Sequence, residues 1–264
     1  MNDYSKPIVI KLGGSIFDAR DVTLIDLVQL QNKGYKLVVV HGGAKLVTAW
    51  CAELGINSQF HQGERITDRR SLDVVTAVLS GLANKETVAA VIRAGGRAAG
   101  ISGSDGGLLQ AHIRDSALGY IGEVKQVDPH LISALLGAGY MPVISPISYF
   151  DDPNGDEPLL LNVNGDTAAG EIARAVGASK LIYLTDVAGI RGAGGEVITS
   201  LSPAEAQELL ANEVASGGMV PKLTSCLLAA GAGVICHIVD GRRPNALAEA
   251  VSGVATGTTV YPQE

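Results

Sequence analysis

Pro7-Ile8-Val9-Ile10-Lys11-Leu12-Gly13-Gly14-Ser15 decides how the rest of the chain is read. A short β-branched run ends in a lysine and a glycine pair. That is the pattern of a buried strand that stops where its backbone comes close to something else. Glycines at such a point leave bare N–H groups, and the lysine adds a point charge. An anion such as a phosphoryl group suits both. By itself K-x-G-G also fits a plain structural turn, so its meaning depends on the 249 residues that follow Ser15.

The pattern returns. Residues 36–41 form a second apolar run, Gly42-Gly43-Ala44 comes immediately after it, and residues 45–54 have helical spacing up to Gly55. With a helix expected over 21–30, the order is β-α-β, which implies a parallel sheet with right-handed crossovers. Residues 60–68 are polar and turn-rich, and predict a hairpin or loop over the sheet's edge. A long helix is expected over 71–92, strands over 98–101, 141–144 and 159–163, and a hairpin within 108–125 around Arg114-Asp115. Further helices are expected over 129–137 and 167–176, with a turn at 151–156 between them. A buried strand, 180–185, ends at Asp186, and a glycine-rich loop over 190–196 comes next. Ser202-Pro203 then opens a capped helix. Lys222 precedes a helix over 223–230, and strands at 234–239 and 258–261 close the chain.

A chain of 264 residues, nearly half of them hydrophobic (47%), can bury a large core. Only 4% are aromatic, so that core is built from Val, Ile, Leu and Ala. The net charge of −7 argues against a nucleic-acid partner, which would recruit a basic face. Three cysteines without C-x-x-C spacing point to reduced thiols and a cytoplasmic setting. Met1 to Lys6 lacks the basic-then-apolar shape of a signal peptide. The longest uncharged apolar run, 223–239, is short for a membrane span and contains Gly231, Gly233 and His237. A soluble protein with no membrane partner is expected.

Several chemistries are missing from the sequence. No Gly-Lys dipeptide occurs, which excludes a Walker A loop, and neither the dinucleotide fingerprint nor a G-x-S-x-G elbow is present. The five histidines have no metal-ligand spacing, so no protein-held metal is expected. What remains is a set of glycine turns at strand ends, isolated lysines at 11 and 222, and Asp166 opening a helix. In open α/β sheets ligands bind at the carboxyl ends of strands, where Lys11, Gly13, Gly14, Gly43, Asn162 and Asp186 all fall. Taken singly, each residue has an ordinary explanation: Lys222 as a surface lysine, Asp166 as a first-turn carboxylate, Arg65 as a solvated loop residue, Asp105 as turn chemistry. Their joint occurrence needs another.

The ordered set Lys11-Leu12-Gly13-Gly14, His41-Gly42-Gly43, Gly63-Glu64-Arg65-Ile66-Thr67-Asp68, Ser102-Gly103-Ser104-Asp105-Gly106, Asn162-Val163-Asn164-Gly165-Asp166, Leu184-Thr185-Asp186-Val187 and Gly218-Met219-Val220-Pro221-Lys222 resembles the amino acid kinase family, and within it the acetylglutamate kinases. The resemblance runs from Ile8 to Val260. It implies an α/β fold, a three-layer αβα sandwich with a mainly parallel central sheet. It also implies an N-terminal lobe (1–178) for the acyl amino acid and dimerisation, and a C-terminal lobe (179–264) for ATP. The implied reaction moves the γ-phosphoryl group of ATP to the side-chain carboxylate of N-acetyl-L-glutamate, a step of arginine biosynthesis.

On that resemblance Lys11 and Lys222 neutralise the phosphoryl group in transit and Asp166 holds both. Gly13, Gly14, Gly43 and Ala44 offer backbone N–H groups. Arg65 grips the substrate's α-carboxylate and Asn162 helps seat it. Thr185, Asp186 and Met219 lie along the nucleotide, and Mg²⁺ rides on ATP. Ala44 stands where the family usually has a third glycine, so positive φ there would be strained. Ten residues precede Lys11, too few for the N-terminal helical extension of arginine-inhibited hexameric relatives. A homodimer without arginine feedback is therefore expected. Two alternatives remain: a kinase for carrier-protein-linked aminoadipate or glutamate, and a non-catalytic amino-acid sensor on the same fold. The short, nearly neutral stretch 114–120 argues against an acidic carrier, and the joint retention of Lys11, Asp166 and Lys222 argues against a sensor.

Overall fold

In the computed structural model the opening run forms β1 (Ile8–Leu12), and every one of its residues is buried. The structure describes residues 5–13, 20–61, 64–150, 159–192, 194–254 and 256–262. Gly14, Gly63, the turn expected at 151–156 and residues 1–4 lie outside them.

β1 sits mid-sheet because it is apolar on both faces, as an interior parallel strand must be. It pairs in parallel with β2 (Leu37–His41) on one side and β10 (Lys180–Thr185) on the other. Beyond β10 lie β12 (Ile235–Asp240), β13 (Thr258–Val260) and the short β11 (Ser200–Leu201). Beyond β2 lie β8 (Met141–Phe150), β6 (Leu109–Ile113), β7 (Ile121–Val127) and β9 (Leu160–Val163), with β5 (Ala98–Gly103) also on β8. Pairing is mainly parallel; among the described residues only β12–β13, β6–β7 and β8–β9 run antiparallel within this sheet. The expected hairpin is present as a separate two-stranded piece, β3 (Phe60–His61) with β4 (Glu64–Arg65).

Side chains alternate across a strand, so each central strand feeds two helical layers. Val9, Val38, Val40, Leu181 and Tyr183 pack with α6 (Gly165–Ala175) and α8 (Met219–Ala230). Ile8, Ile10, Leu12, Leu37, Val39, Ile182 and Leu184 pack with α1 (Arg20–Asn32), α4 (Asn84–Arg93) and α9 (Ala246–Ser252). This is the three-layer αβα sandwich. A third apolar cluster joins α2 (Ala44–Glu53) to α3 (Arg69–Thr76) through Val47, Cys51, Val74 and Val75.

The remaining helices start where their caps dictate. Asp68 accepts from Ser71 N at 2.7 Å to open α3. Ser202 and Glu205 form a reciprocal capping box for α7 (Pro203–Ala211). α5 spans His130–Gly137.

Four differences from the sequence reading stand out. The long helix is not uniform: between α3 and α4 it widens into a π segment, Ala77–Ala83. By length and composition that helical run could cross a membrane, yet its inward face buries Leu72, Val75, Val78, Asn84 and Val91. β8 continues six residues past Ile144, to Phe150. The short elements α9 and β11 were not anticipated. Finally, α8 begins at Met219, so Lys222 lies inside its first turn rather than ahead of it. Pro221 reads as a helix breaker, but the first turn has no intrahelical use for its missing N–H.

Candidate active site

The C-terminal ends of β10, β1 and β2 form one ledge. Gly13 N–H donates to Leu184 O and Gly42 N–H to Leu12 O, both at 3.1 Å, so the two glycine turns leave the sheet side by side. Thr185 ends β10 on the same ledge, and Asp186 follows it directly. The alternation that buries Val9 beneath α6 carries Lys11 to the same face.

There α6 opens. Asn164 caps it, its Oδ1 accepting from Asp166 N at 2.8 Å and Thr167 N at 3.4 Å, and this fixes Asp166 in the first turn. The Tyr183 hydroxyl, wholly buried on β10, donates to Asp166 O at 3.0 Å. Asp166 Oδ1 is 2.6 Å from Lys11 Nζ, and Asp166 Oδ2 accepts from Lys222 Nζ at 2.9 Å. Lys222 also donates to Gly218 O at 3.1 Å, which ties it to the start of its own helix. Lys11 is 7% exposed and Asp166 5%. Burial pushes the Asp166 carboxyl up, but the charges and hydrogen bonds of Lys11 and Lys222 outweigh it and hold the group below the usual carboxylate range. Two ammonium groups and one carboxylate leave a net positive centre in a chain of net charge −7.

A cavity of about 200 Å³ opens beside this centre, lined by Lys11, Gly43, Ala44, Arg65, Asn162 and Asp166 together with apolar Val47, Val75, Leu79, Ile121 and Pro146. Arg65, 8% exposed, donates to Thr48 Oγ1 at 2.6 Å, to Ala44 O at 3.4 Å and to Ser58 Oγ, and lies 4.9 Å over the Phe60 ring. All these partners are neutral. Among the described residues no carboxylate pairs with Arg65. Burial pushes its guanidinium down from the usual range, so an incoming anion would relieve a desolvated charge. Asn162 Nδ2 donates to Thr67 Oγ1 at 3.2 Å.

Ala44 is the first residue of α2, and among the described non-glycine residues only Glu213 and Asn245 have positive φ. The departure from a third glycine therefore introduces no strain. A Cβ at Gly43 would sit 2.7 Å from Leu79 Cδ2, so a side chain there requires Leu79 to shift.

A second cavity, about 1030 Å³, shares Asn164 and Asp166 with the first and extends along Thr167, Gly217, Gly218, Val220 and Pro221. Asp166 thus stands where the two cavities meet. Lys11, Asp166, Lys222, Gly43, Ala44, Arg65 and Asn162 are brought together as the sequence suggested. Gly13, Thr185 and Asp186 share the ledge but line neither of these two cavities, and Met219 opens α8 beside the second. Sequence reading missed the residues that hold the site: Thr48, Ser58 and Phe60 around Arg65, and Tyr183 beneath Asp166. Only Asn164, one residue before a helical pattern, carried a readable capping signal.

A profile of the amino acid kinase family matches residues 6–240. The chain is 49% identical over 258 residues to the acetylglutamate kinase of Dehalococcoides mccartyi strain CBDB1, covering 97% of this chain and 94% of that protein. It is 43% identical over 250 residues to the acetylglutamate kinase of Thermosynechococcus vestitus, covering 92% and 83%. Among solved structures, smu.665 from Streptococcus mutans UA159 superposes with a TM-score of 0.82 at 27% identity, covering 97% of this chain and 98% of that one. With its fold, its glycine ledge and its lysine–aspartate–lysine centre, the chain belongs to the amino acid kinase family.

Proposed function

We propose that this protein transfers the γ-phosphoryl group of ATP to the γ-carboxylate of N-acetyl-L-glutamate, giving N-acetyl-L-glutamyl 5-phosphate for arginine biosynthesis. One observation carries the reading. Lys11, paired through Asp166 with Lys222, and Arg65, buried without a carboxylate partner among the described residues, line or border one small cavity. That is the arrangement a dicarboxylate acceptor needs: one cation for the carboxylate that is held and others for the carboxylate that reacts. The apolar wall of Val47, Val75, Leu79 and Ile121 suits the methylene chain and acetyl methyl, and the Asn162 amide suits the polar end of the acceptor.

The chemistry asks little of an acid or base. A glutamate side-chain carboxylate, with a free pKa of about 4.3, is already a nucleophile at neutral pH. The obstacle is the approach of two anions, whose repulsion at about 4 Å amounts to roughly 4 kcal/mol at an effective dielectric of about 20. Lys11 and Lys222 offset that repulsion, Asp166 fixes both ammonium groups, and the N–H groups of the glycine turns take up charge on the transferred phosphoryl oxygens. One carboxylate oxygen forms a bond to phosphorus as the bond to the ADP leaving oxygen breaks. No proton need move.

Mg²⁺ would arrive on the nucleotide phosphates. Asp166 is committed to the lysines, and among the described residues no three His, Cys, Asp or Glu side chains cluster. The nucleotide would lie along Gly13, Gly14, Thr185, Asp186 and Met219, in a C-terminal lobe (179–264) facing an acceptor-binding and dimer-forming lobe (1–178). A cytoplasmic homodimer completes the proposal. An initial-rate assay of ADP release tests it: N-acetyl-L-glutamate should accelerate release strongly, and free glutamate or a carrier-linked aminoadipate should not. Release that ignores acetylglutamate overturns the reading.

A further inference from the structure

The helix behind the cavity carries a buried polar chain that ends at the second glycine turn. His41 is the last residue of β2, and alternation places it on the face of Leu37 and Val39, away from Lys11 and toward α4. Asn84 is the first residue of α4, and both it and His41 are fully buried. It reaches the sheet because of the π segment before it. A π turn inserts a residue, and each residue rotates a helix face by about 100°. The same segment presses Leu79 against Gly43.

The hydrogen bonds fix which atom carries the proton. His41 Nδ1 is 2.9 Å from Gly42 O, and a carbonyl can only accept, so the proton is on Nδ1. His41 Nε2 is then an acceptor, and Asn84 Nδ2 lies 3.1 Å from it. The Asn84 amide cannot be turned over, since its Nδ2 also faces Val143 O at 2.8 Å and Ile101 O at 3.2 Å, its two hydrogens being shared among these three acceptors. Lys85 Nζ completes the chain, donating to Asn84 Oδ1 and to Gly100 O, both at 3.0 Å. Gly100 is the clearance for this network: a Cβ there would sit 2.1 Å from Asn84 Oδ1. Burial, with the nearby charges of Lys11 and Lys85, outweighs the Gly42 carbonyl and pushes the His41 imidazole down to about 4, so the ring is neutral at working pH.

We infer that Asn84 is a positioning residue for the proposed phosphoryl transfer, locking His41 as its Nδ1–H tautomer so that the ring pins the Gly42 carbonyl and aims the next amide. A peptide unit is planar and trans, so its C=O and N–H point in opposite directions. Holding Gly42 O toward the core therefore turns Gly43 N–H away from it, and among the described residues no acceptor takes that N–H. The cavity wall is formed by the same Gly42, Gly43 and Ala44.

The inference rests on the kinase reading for its kinetic half only. Long-range ¹H–¹⁵N spectra of histidine-labelled wild-type protein should show His41 as the neutral Nδ1–H tautomer from pH 8 down to about 5. Asn84→Ser, and Gly100→Ala acting on Asn84, should weaken that preference, leaving the Gly42 carbonyl alone to hold the proton on Nδ1 and admitting a measurable Nε2–H fraction. In both, kcat per folded molecule should fall about tenfold while KM for ATP stays within about twofold. A merely structural Asn84 would lower the melting temperature and leave kcat and the tautomer unchanged. Wild-type His41 found as Nε2–H, or as a mixture, overturns the inference, and this decides the matter where a variant does not fold. A wild-type protein without acetylglutamate kinase activity but with the Nδ1–H tautomer would instead refute the kinase reading alone.

Discussion

Lys11 Nζ lies 2.6 Å from Asp166 Oδ1, which joins the middle strand of the sheet to the first turn of α6. Lys222, from α8, meets the other oxygen of the same carboxylate at 2.9 Å. Three segments far apart in sequence thus share one buried negative charge. Asp166→Ala would leave the buried Lys11 ammonium group and the part-buried Lys222 ammonium group facing each other with no counter-ion. The expected result is a loss of stability of about 3–5 kcal/mol in urea unfolding, with activity lost in the protein that remains folded. Because the folded carboxyl is held low, its stabilising contribution is complete above the unfolded value of about 3.9. It disappears only as pH falls through the lower folded value.

Arg65 is held by Thr48, Ser58 and Ala44 O, so its fork is aimed before any ligand arrives. Arg65→Lys keeps the charge and loses the planar fork. KM for acetylglutamate should rise at least about tenfold, with kcat and KM for ATP little changed, as expected when uniform binding is removed. Initial rates with each substrate varied in turn measure this. A fall in kcat alone would place Arg65 elsewhere in the reaction.

Gly43 and Leu79 make a matched pair. Gly43→Ala would bring a Cβ to within 2.7 Å of Leu79 Cδ2, so that either the Leu79 side chain or the loop carrying the cavity amides must shift. Activity should fall by about a hundredfold, and the double variant Gly43→Ala, Leu79→Ala should recover much of it by making room. A double-variant cycle reads the coupling. Losses that merely add would place the constraint in the backbone instead.

His237 is buried on β12 with Nδ1 3.0 Å from Thr259 Oγ1, while its Nε2 has no partner among the described residues. Burial, then the charge of Lys180, pushes its imidazole down to about 4. Unfolded, the same group titrates at about 6.5 and binds a proton that the folded protein refuses. Stability should therefore fall as pH drops from 7 to 5, by about 2 kcal/mol for each such histidine, and His41 acts in the same sense. Urea curves at the two pH values should give a smaller difference for His237→Leu than for wild type.

The lysine–aspartate–lysine centre was legible only through the ordered set of motifs that resembles the family, because Lys11, Asp166 and Lys222 each have an ordinary explanation when taken singly. The central strands 8–12, 37–41 and 180–185 were legible directly: apolar on both faces, each is bounded by a turn or a polar residue. The π segment was not. Ala77–Ala83 is an ordinary apolar helical stretch, and only the packing of Leu79 on Gly43 and Asn84 on His41 marks the extra residue. β8 runs past the expected 141–144 through Pro146 to Phe150, because a proline does not stop a strand where its N–H is not needed in the ladder. The partners of Arg65 were invisible because Thr48 lies on α2 and Ser58 in a loop, and only the tertiary fold brings them together.

Hydroxylamine trapping of the acyl phosphate tests the central claim most directly, because it detects the bond that the two lysines are arranged to help form. With ATP, Mg²⁺ and N-acetyl-L-glutamate, wild-type protein should yield the γ-hydroxamate, and Lys11→Ala should yield it about a hundredfold more slowly or worse. No hydroxamate from the wild type, or an undiminished rate from Lys11→Ala, would contradict the claim.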